Sequence, residues 1–141
     1  MDTSIYFTLE DLNTLSRDSL VKHLGITFTA LGEGYLEATM PVDERTMQPF
    51  KILHGGATMA LAETVGSGLS VAHANPQEYS VKGLEINGNH LKSVEGGMVT
   101  ARATFLHRGN STHVVEVKTY NESTELVAAA RITNFVKKRE T

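Results

Sequence analysis

Glu63 is the only charged residue between Gly55 and Ala72, in the run GGATMALAETVGSGLSVA. All its neighbours there are small, apolar or uncharged. A carboxylate in such surroundings finds a partner, shifts its pKa or reacts. His54, Gly55 and Gly56 stand just upstream, where the helix formed by this run would begin. A spacing of four puts Glu63 and Ser67 on one helix face, with Gly56 and Ala60 close to it. That face combines a carboxylate, a hydroxyl and space beside them. Its N-terminal end offers the backbone N–H groups of Gly55 and Gly56, and such groups, with the helix dipole, stabilise a developing oxyanion. Carboxylate plus oxyanion donor is the set that acyl transfer to water requires. One attacks or activates water, and the other holds the tetrahedral oxygen. Each residue also has a plainer reading. Glu63 can be one half of a buried ion pair with a distant lysine or arginine. His54 can be a helix cap or a satisfied core residue, and Ser67 can bond back to the preceding turn.

The remaining histidines, His23, His73, His90, His107 and His113, form no HxxxH or HExxH pair, so no metal site is expected. There is no GxSxG and no phosphate-binding P-loop. The segment His107-Arg108-Gly109-Asn110-Ser111-Thr112 falls between two strand patterns. It reads either as a polar hairpin loop or as a turn that holds an anion through arginine and hydroxyls, and the residues by themselves favour the loop.

The elements that must position these groups follow from capping and periodicity. Thr8 with Glu10 and Asp11 marks a helix start, and Leu9, Leu12 and Leu15 begin a short helix. A second short helix over Asp18 to Leu24 ends at Gly25. Ile26 to Leu31 and Tyr35 to Val42 read as strands joined at Gly32-Glu33-Gly34. A loop then leads to His54 and the long helix, whose apolar character suggests packing on several sides. Ser80 to Val94, Val99 to Phe105, Val114 to Tyr120 and Leu126 to Val136 read as strands, the last two joined at Asn121-Glu122-Ser123. The order predicts an α+β fold, an antiparallel sheet wrapped around one long central helix. Gly66 and Gly68 inside that helix each cost about 1 kcal/mol relative to Ala, which close packing would explain. One sheet cannot cover a helix this apolar, so a dimer is expected.

The 141 residues suit a single domain over 1–141 with a short N-terminal helical segment, 1–25. A net charge of -3 argues against nucleic acid as a partner. With no cysteine, disulfides, thiolate metal sites and cysteine nucleophiles are excluded. MDTSIYFTLEDLN has neither a basic nor an apolar leader region, and the apolar helix is too short to span a membrane. The cytoplasm is the expected location.

At this point the residues match something known. MQPFKILHGGATMALAETVGS, GLEINGNHLKS and LHRGNSTHV resemble the hotdog-fold acyl-CoA thioesterases. The likeness runs from about Leu24 to Val136 and is closest to the group that includes 1,4-dihydroxy-2-naphthoyl-CoA thioesterase and the proofreading thioesterase of enterobactin synthesis. It implies hydrolysis of an acyl-CoA, with aromatic acyl groups such as dihydroxynaphthoyl or hydroxybenzoyl expected. It implies Glu63 as nucleophile or general base and the Gly55 N–H as oxyanion donor. Gln48 and His54 would flank the thioester, with Ser67 near the attacking water or acyl group. His90 would lie by the aromatic end, and CoA would rest on Gly83, on His90-Leu91-Lys92-Ser93 and on His107 to Thr112. The resemblance thus favours the anion-holding reading of that last segment. It also implies a homo-oligomer, dimers paired into tetramers with sites between subunits, and no cofactor beyond the CoA of the substrate. A non-catalytic acyl-CoA-binding hotdog module and a hotdog enoyl-CoA hydratase or dehydratase are the alternatives.

Overall fold

A computed structural model describes residues 3–141; Met1 and Asp2, the start of the segment expected over 1–25, lie outside the described residues. Two short helices come first, α1 (Leu9–Leu15) and α2 (Leu20–His23). Thr8 caps α1 reciprocally. Its hydroxyl accepts the Asp11 N–H at 3.0 Å, and the Asp11 carboxylate accepts the Thr8 N–H at 2.8 Å. Gly25 ends α2 at φ 74°, a conformation that favours glycine.

Strands β1 (Thr27–Gly32) and β2 (Tyr35–Pro41) form the expected hairpin, and α3 spans Gly55–Ala72. Then follow β3 (Tyr79–His90), β4 (Met98–Arg108), β5 (Thr112–Tyr120) and β6 (Leu126–Lys138). The six strands form one antiparallel sheet in the order β1-β2-β4-β5-β6-β3, so β3 is a free edge. The helix packs on one face of it, which is the hotdog arrangement that the resemblance implies. Leu61, Val65 and Leu69 of α3 meet Leu36 and Met40 of β2, Val99 of β4, Val115 and Val117 of β5 and Ile132 of β6, all fully buried. Each such side chain contributes about 1.5–3 kcal/mol by leaving water.

The helical glycines are explained by close approach. A Cβ on Gly66 would stand 2.9 Å from Ile132 Cδ1, and one on Gly68 would stand 2.9 Å from Leu36 Cδ2. Two strand ends differ from the sequence reading by more than two residues. β3 stops at His90 rather than Val94, because the Leu91 and Lys92 N–H groups both turn to the Val127 carbonyl, at 2.8 and 3.2 Å. β4 continues past Phe105 to Arg108. A bulge between Phe105 and His107 leaves Leu106 half exposed, so the alternation breaks where the ladder does not.

Within this chain α3 is not enclosed, because Gly56, Met59, Ala60, Glu63, Thr64, Ser67 and Val71 form a stripe that the sheet leaves partly open. Glu63 is exposed on it.

Candidate active site

The N-terminal turn of α3 is built by a tight loop. Gln48 N–H donates to the Ile52 carbonyl at 2.9 Å, and the Gln48 carbonyl accepts from Lys51 N–H at 3.0 Å, with Lys51 at φ 66°. Gln48 Oε1 also accepts the Phe50 N–H. Because a backbone N–H can only donate, the side-chain nitrogen must face outward, and it has no partner among the described residues.

His54 is the N-cap. Its Nδ1 accepts the Gly56 N–H at 2.7 Å, which leaves the ring proton on Nε2. The cap reading of His54 is therefore correct as far as this chain goes. It also separates the two candidate donors. The Gly56 N–H is taken, whereas that of Gly55 has no partner among the described residues. Gln48, Gly55, His90, Leu91, Lys92 and Ser93 line one cleft, together with Thr58 and Val127. The His90 ring packs against Gly55, where a Cβ would come within 3.0 Å of Nε2. Lys92 pairs with Glu125 at 2.6 Å on the surface, a contact that water or an anion can replace.

Glu63 and Ser67 lie in a different cleft. Its other walls are Leu20, Val21, Leu24 and Ile26 from the α2 region and Ala60 and Thr64 from α3. The ion-pair reading of Glu63 is not met, since no described lysine or arginine pairs with it. Gly83 on β3 abuts the pair. A Cβ there would be 3.1 Å from Glu63 Oε1 and 4.0 Å from Ser67 Oγ. Thus the fold gathers Gln48, Gly55 and His90–Ser93 at one end of α3, and Glu63, Ser67 and Gly83 further along. Eight residues separate Gly55 from Glu63, about 12 Å of helix.

Arg108, Gly109 and Asn110 of the third expected stretch line a cleft at the C-terminal end of α3, beside His73 and His113. Arg108 donates to the His73 carbonyl at 3.0 Å, and His107, Ser111 and Thr112 complete the hairpin around it. Within the chain this stretch joins neither of the other groups.

Sequence reasoning missed a buried polar cluster. Asn134, His113 and Ser70 are each at least 96% buried; His113 Nδ1 lies 2.9 Å from Ser70 Oγ, and Asn134 Nδ2 donates to the same oxygen at 2.9 Å. The signal was in β6. Ala128, Ala130, Ile132 and Val136 alternate onto the core face, and the position skipped between the last two is Asn134. Burial, reinforced by the charges of Arg108, His73 and His107, holds the His113 pKa down to about 4. The unfolded chain takes up that proton near pH 6.5, so stability is lost as pH falls from 6.5 towards 4. Urea unfolding at pH 7.5 and 4.5 is expected to show a loss smaller by about 2 kcal/mol in His113→Gln than in the wild type. Equal losses would remove His113 as a source of acid sensitivity.

The sheet wrapped on one central helix is the hotdog fold of the thioesterases, and residues 50–128 match the thioesterase superfamily. The chain belongs to that family and is a thioesterase. A solved thioesterase from Haemophilus influenzae is 46% identical, with a TM-score of 0.93 over 98% of this chain and 96% of its own. The 1,4-dihydroxy-2-naphthoyl-CoA hydrolase of Escherichia coli K12 is 41% identical over 92% of this chain and 94% of its own. The proofreading thioesterase EntH of Cronobacter turicensis is 43% identical over 93% and 95%. Among the described residues, no helix is long and apolar enough to cross a membrane.

Proposed function

We propose that this thioesterase hydrolyses acyl-CoA thioesters carrying bulky apolar acyl groups, aromatic ones such as dihydroxynaphthoyl or hydroxybenzoyl among them, at a cleft completed by a second copy of the chain. One observation carries the proposal. Residues 55 and 63 stand on one helix with about 12 Å of axial rise between their backbones, too far for the Gly55 N–H and the Glu63 carboxylate to serve one carbonyl, since reacting groups must lie within about 3–3.5 Å. The free edge strand β3 touches both, Gly83 at Glu63 and His90 at Gly55. If two β3 edges pair antiparallel about a two-fold axis near Ile86, Gly83 of each copy comes opposite His90 of the other. Glu63 then faces Gly55 of the partner subunit, with the partner's Gln48 and the partner's His54 beside it.

In that arrangement the Gly55 N–H and the Gln48 amide donate to the thioester oxygen as charge develops on it. Glu63 either takes a proton from water as the water oxygen adds to the carbonyl carbon, or adds itself and leaves an anhydride that water opens. Both routes break the C–S bond, and the departing sulfur takes a proton to leave as CoA thiol. The acyl group lies along Leu20, Val21, Leu24 and Ile26, an apolar wall that needs a cover because Leu20 is 63% exposed. Lys92 and Arg108 supply cations, and Ser93, His107, Asn110, Ser111 and Thr112 supply hydrogen bonds, for the phosphates of CoA. The name of the Escherichia coli relative, 1,4-dihydroxy-2-naphthoyl-CoA hydrolase, agrees with an aryl substrate.

Free-CoA release measured with a thiol reagent tests this across benzoyl-, dodecanoyl- and acetyl-CoA. Release from benzoyl-CoA is expected at a kcat/KM at least ~10-fold above that for acetyl-CoA, the scale of apolar-pocket discrimination. No release from any of the three would leave a binding module, and hydration of crotonyl-CoA in its place would leave a hydratase.

A further inference from the structure

Asn134 sits at 0% exposure in the middle of β6, paired across the sheet with Gly83 on one side and His113 on the other. Its flanking core positions on the same face, Ile132 and Val136, are apolar. An amide buried among such residues is costly unless its hydrogen bonds are made. Here they are made to one face of α3. Nδ2 donates to the Gly66 carbonyl at 3.2 Å and to Ser70 Oγ at 2.9 Å. Because the Gly66 carbonyl can only accept, the amide cannot be turned the other way. Oδ1 is therefore held towards Ser67, whose hydroxyl donates to it at 3.4 Å.

The consequence falls beside Glu63. With its proton given to Asn134, Ser67 has only lone pairs left for the cleft. Three oxygens then surround the space that Gly83 leaves empty. From where a Cβ on Gly83 would stand, Glu63 Oε1 is 3.1 Å away, Asn134 Oδ1 3.8 Å and Ser67 Oγ 4.0 Å. We infer that Asn134 is a positioning residue: it makes Ser67 a hydrogen-bond acceptor, so that a water between Glu63 and Ser67 donates one hydrogen to each and keeps a lone pair for the thioester carbon. This rests on Glu63 being the reacting carboxylate and on its taking the general-base route, in which water adds to the thioester carbon. Asn134 acts through Ser67 rather than on the substrate.

The test is a double-mutant cycle on benzoyl-CoA, with thermal melting of every variant and Glu63→Gln as the reference. Ser67→Ala and Asn134→Ala are each expected to lower kcat ~10-fold with KM changed less than ~3-fold, and Ser67→Ala combined with Asn134→Ala is expected to be no slower than either. Asn134→Asp, kept neutral by burial, still turns an oxygen to Ser67 and is expected to keep kcat within ~3-fold. Losses that multiply in the double variant overturn the inference, as does a kcat near wild type in Asn134→Ala. Asn134→Val, which fills the site, replaces Asn134→Ala if the latter does not melt cooperatively. If neither folds, Asn134→Asp decides, and a loss beyond ~10-fold in that variant overturns the inference. A wild type that releases no CoA, or a Glu63→Gln enzyme as fast as wild type, sinks the Glu63 reading instead, so the two failures are distinguishable.

Discussion

Glu63→Gln is expected to lower turnover by more than ~100-fold, the scale of removing a positioned catalytic group. The substitution keeps size and polarity and removes only the charge and basicity. Glu63 is exposed on the open stripe of α3 and pairs with no described cation, so no buried ion pair is broken and the melting temperature should hardly move. A structural role would show the opposite pattern, a lower melting temperature with turnover preserved. Activity near wild type in a folded Glu63→Gln enzyme would take Glu63 out of the reaction. A single turnover in ¹⁸O-water then separates its two chemistries. Label found in the Glu63 carboxylate means that it attacks the carbonyl, and its absence weakens that route, since water opening the anhydride at the acyl carbon labels only the product acid.

Gly55→Pro is expected to be ~100-fold slower than Gly55→Ala, since loss of one oxyanion donor costs about 10²–10³ in kcat. The comparison turns on the N–H, which proline replaces with its ring Cδ. Gly55 is the first residue of α3, where proline is well accepted, and His54 before it already has φ -70° and ψ 131°, which suits a residue preceding proline. The N–H that proline removes has no partner among the described residues, so the helix loses nothing else. Both variants add a Cβ 3.0 Å from His90 Nε2, and that crowding cancels between them. Equal rates would remove Gly55 as the donor. The same variants test the shared cleft. A purified heterodimer of Gly55→Pro with Glu63→Gln carries both lesions in one cleft and neither in the other, so it should recover about half the wild-type activity. A site contained in one chain would leave the heterodimer as inactive as its parents.

Much of the fold was legible because it rests on local rules. The α3 boundaries, Gly55 to Ala72, match the sequence reading, as do the Thr8 cap and the Gly25 stop. β2 was readable from Leu36, Ala38 and Met40 alternating into the core. The reading failed where a ladder bends or ends without a change in residue type, at the Phe105–His107 bulge and after His90. The candidate site was legible as a set of residues, and its spatial grouping was not. Glu63 and Ser67 fall together because a spacing of four is a property of any helix. Gly83 at Glu63, and His90 at Gly55, meet only because β3 crosses α3 and brings together positions 20 and 35 apart in the chain.

The sequence by itself determined the family, the central helix and the identity of its lone carboxylate, since helix caps, periodicity and motif spacing are written in neighbouring residues. Only the tertiary structure decided which glycine N–H is free, because that turns on where the His54 ring lies. It alone left Glu63 on an open stripe rather than in a sealed core, and separated it from Gly55 by the length of helix between them. It also brought Asn134 against Ser67, 67 residues apart in the chain. Burial and hydrogen-bond partners depend on which distant segments the sheet carries past the helix, and no local pattern records that.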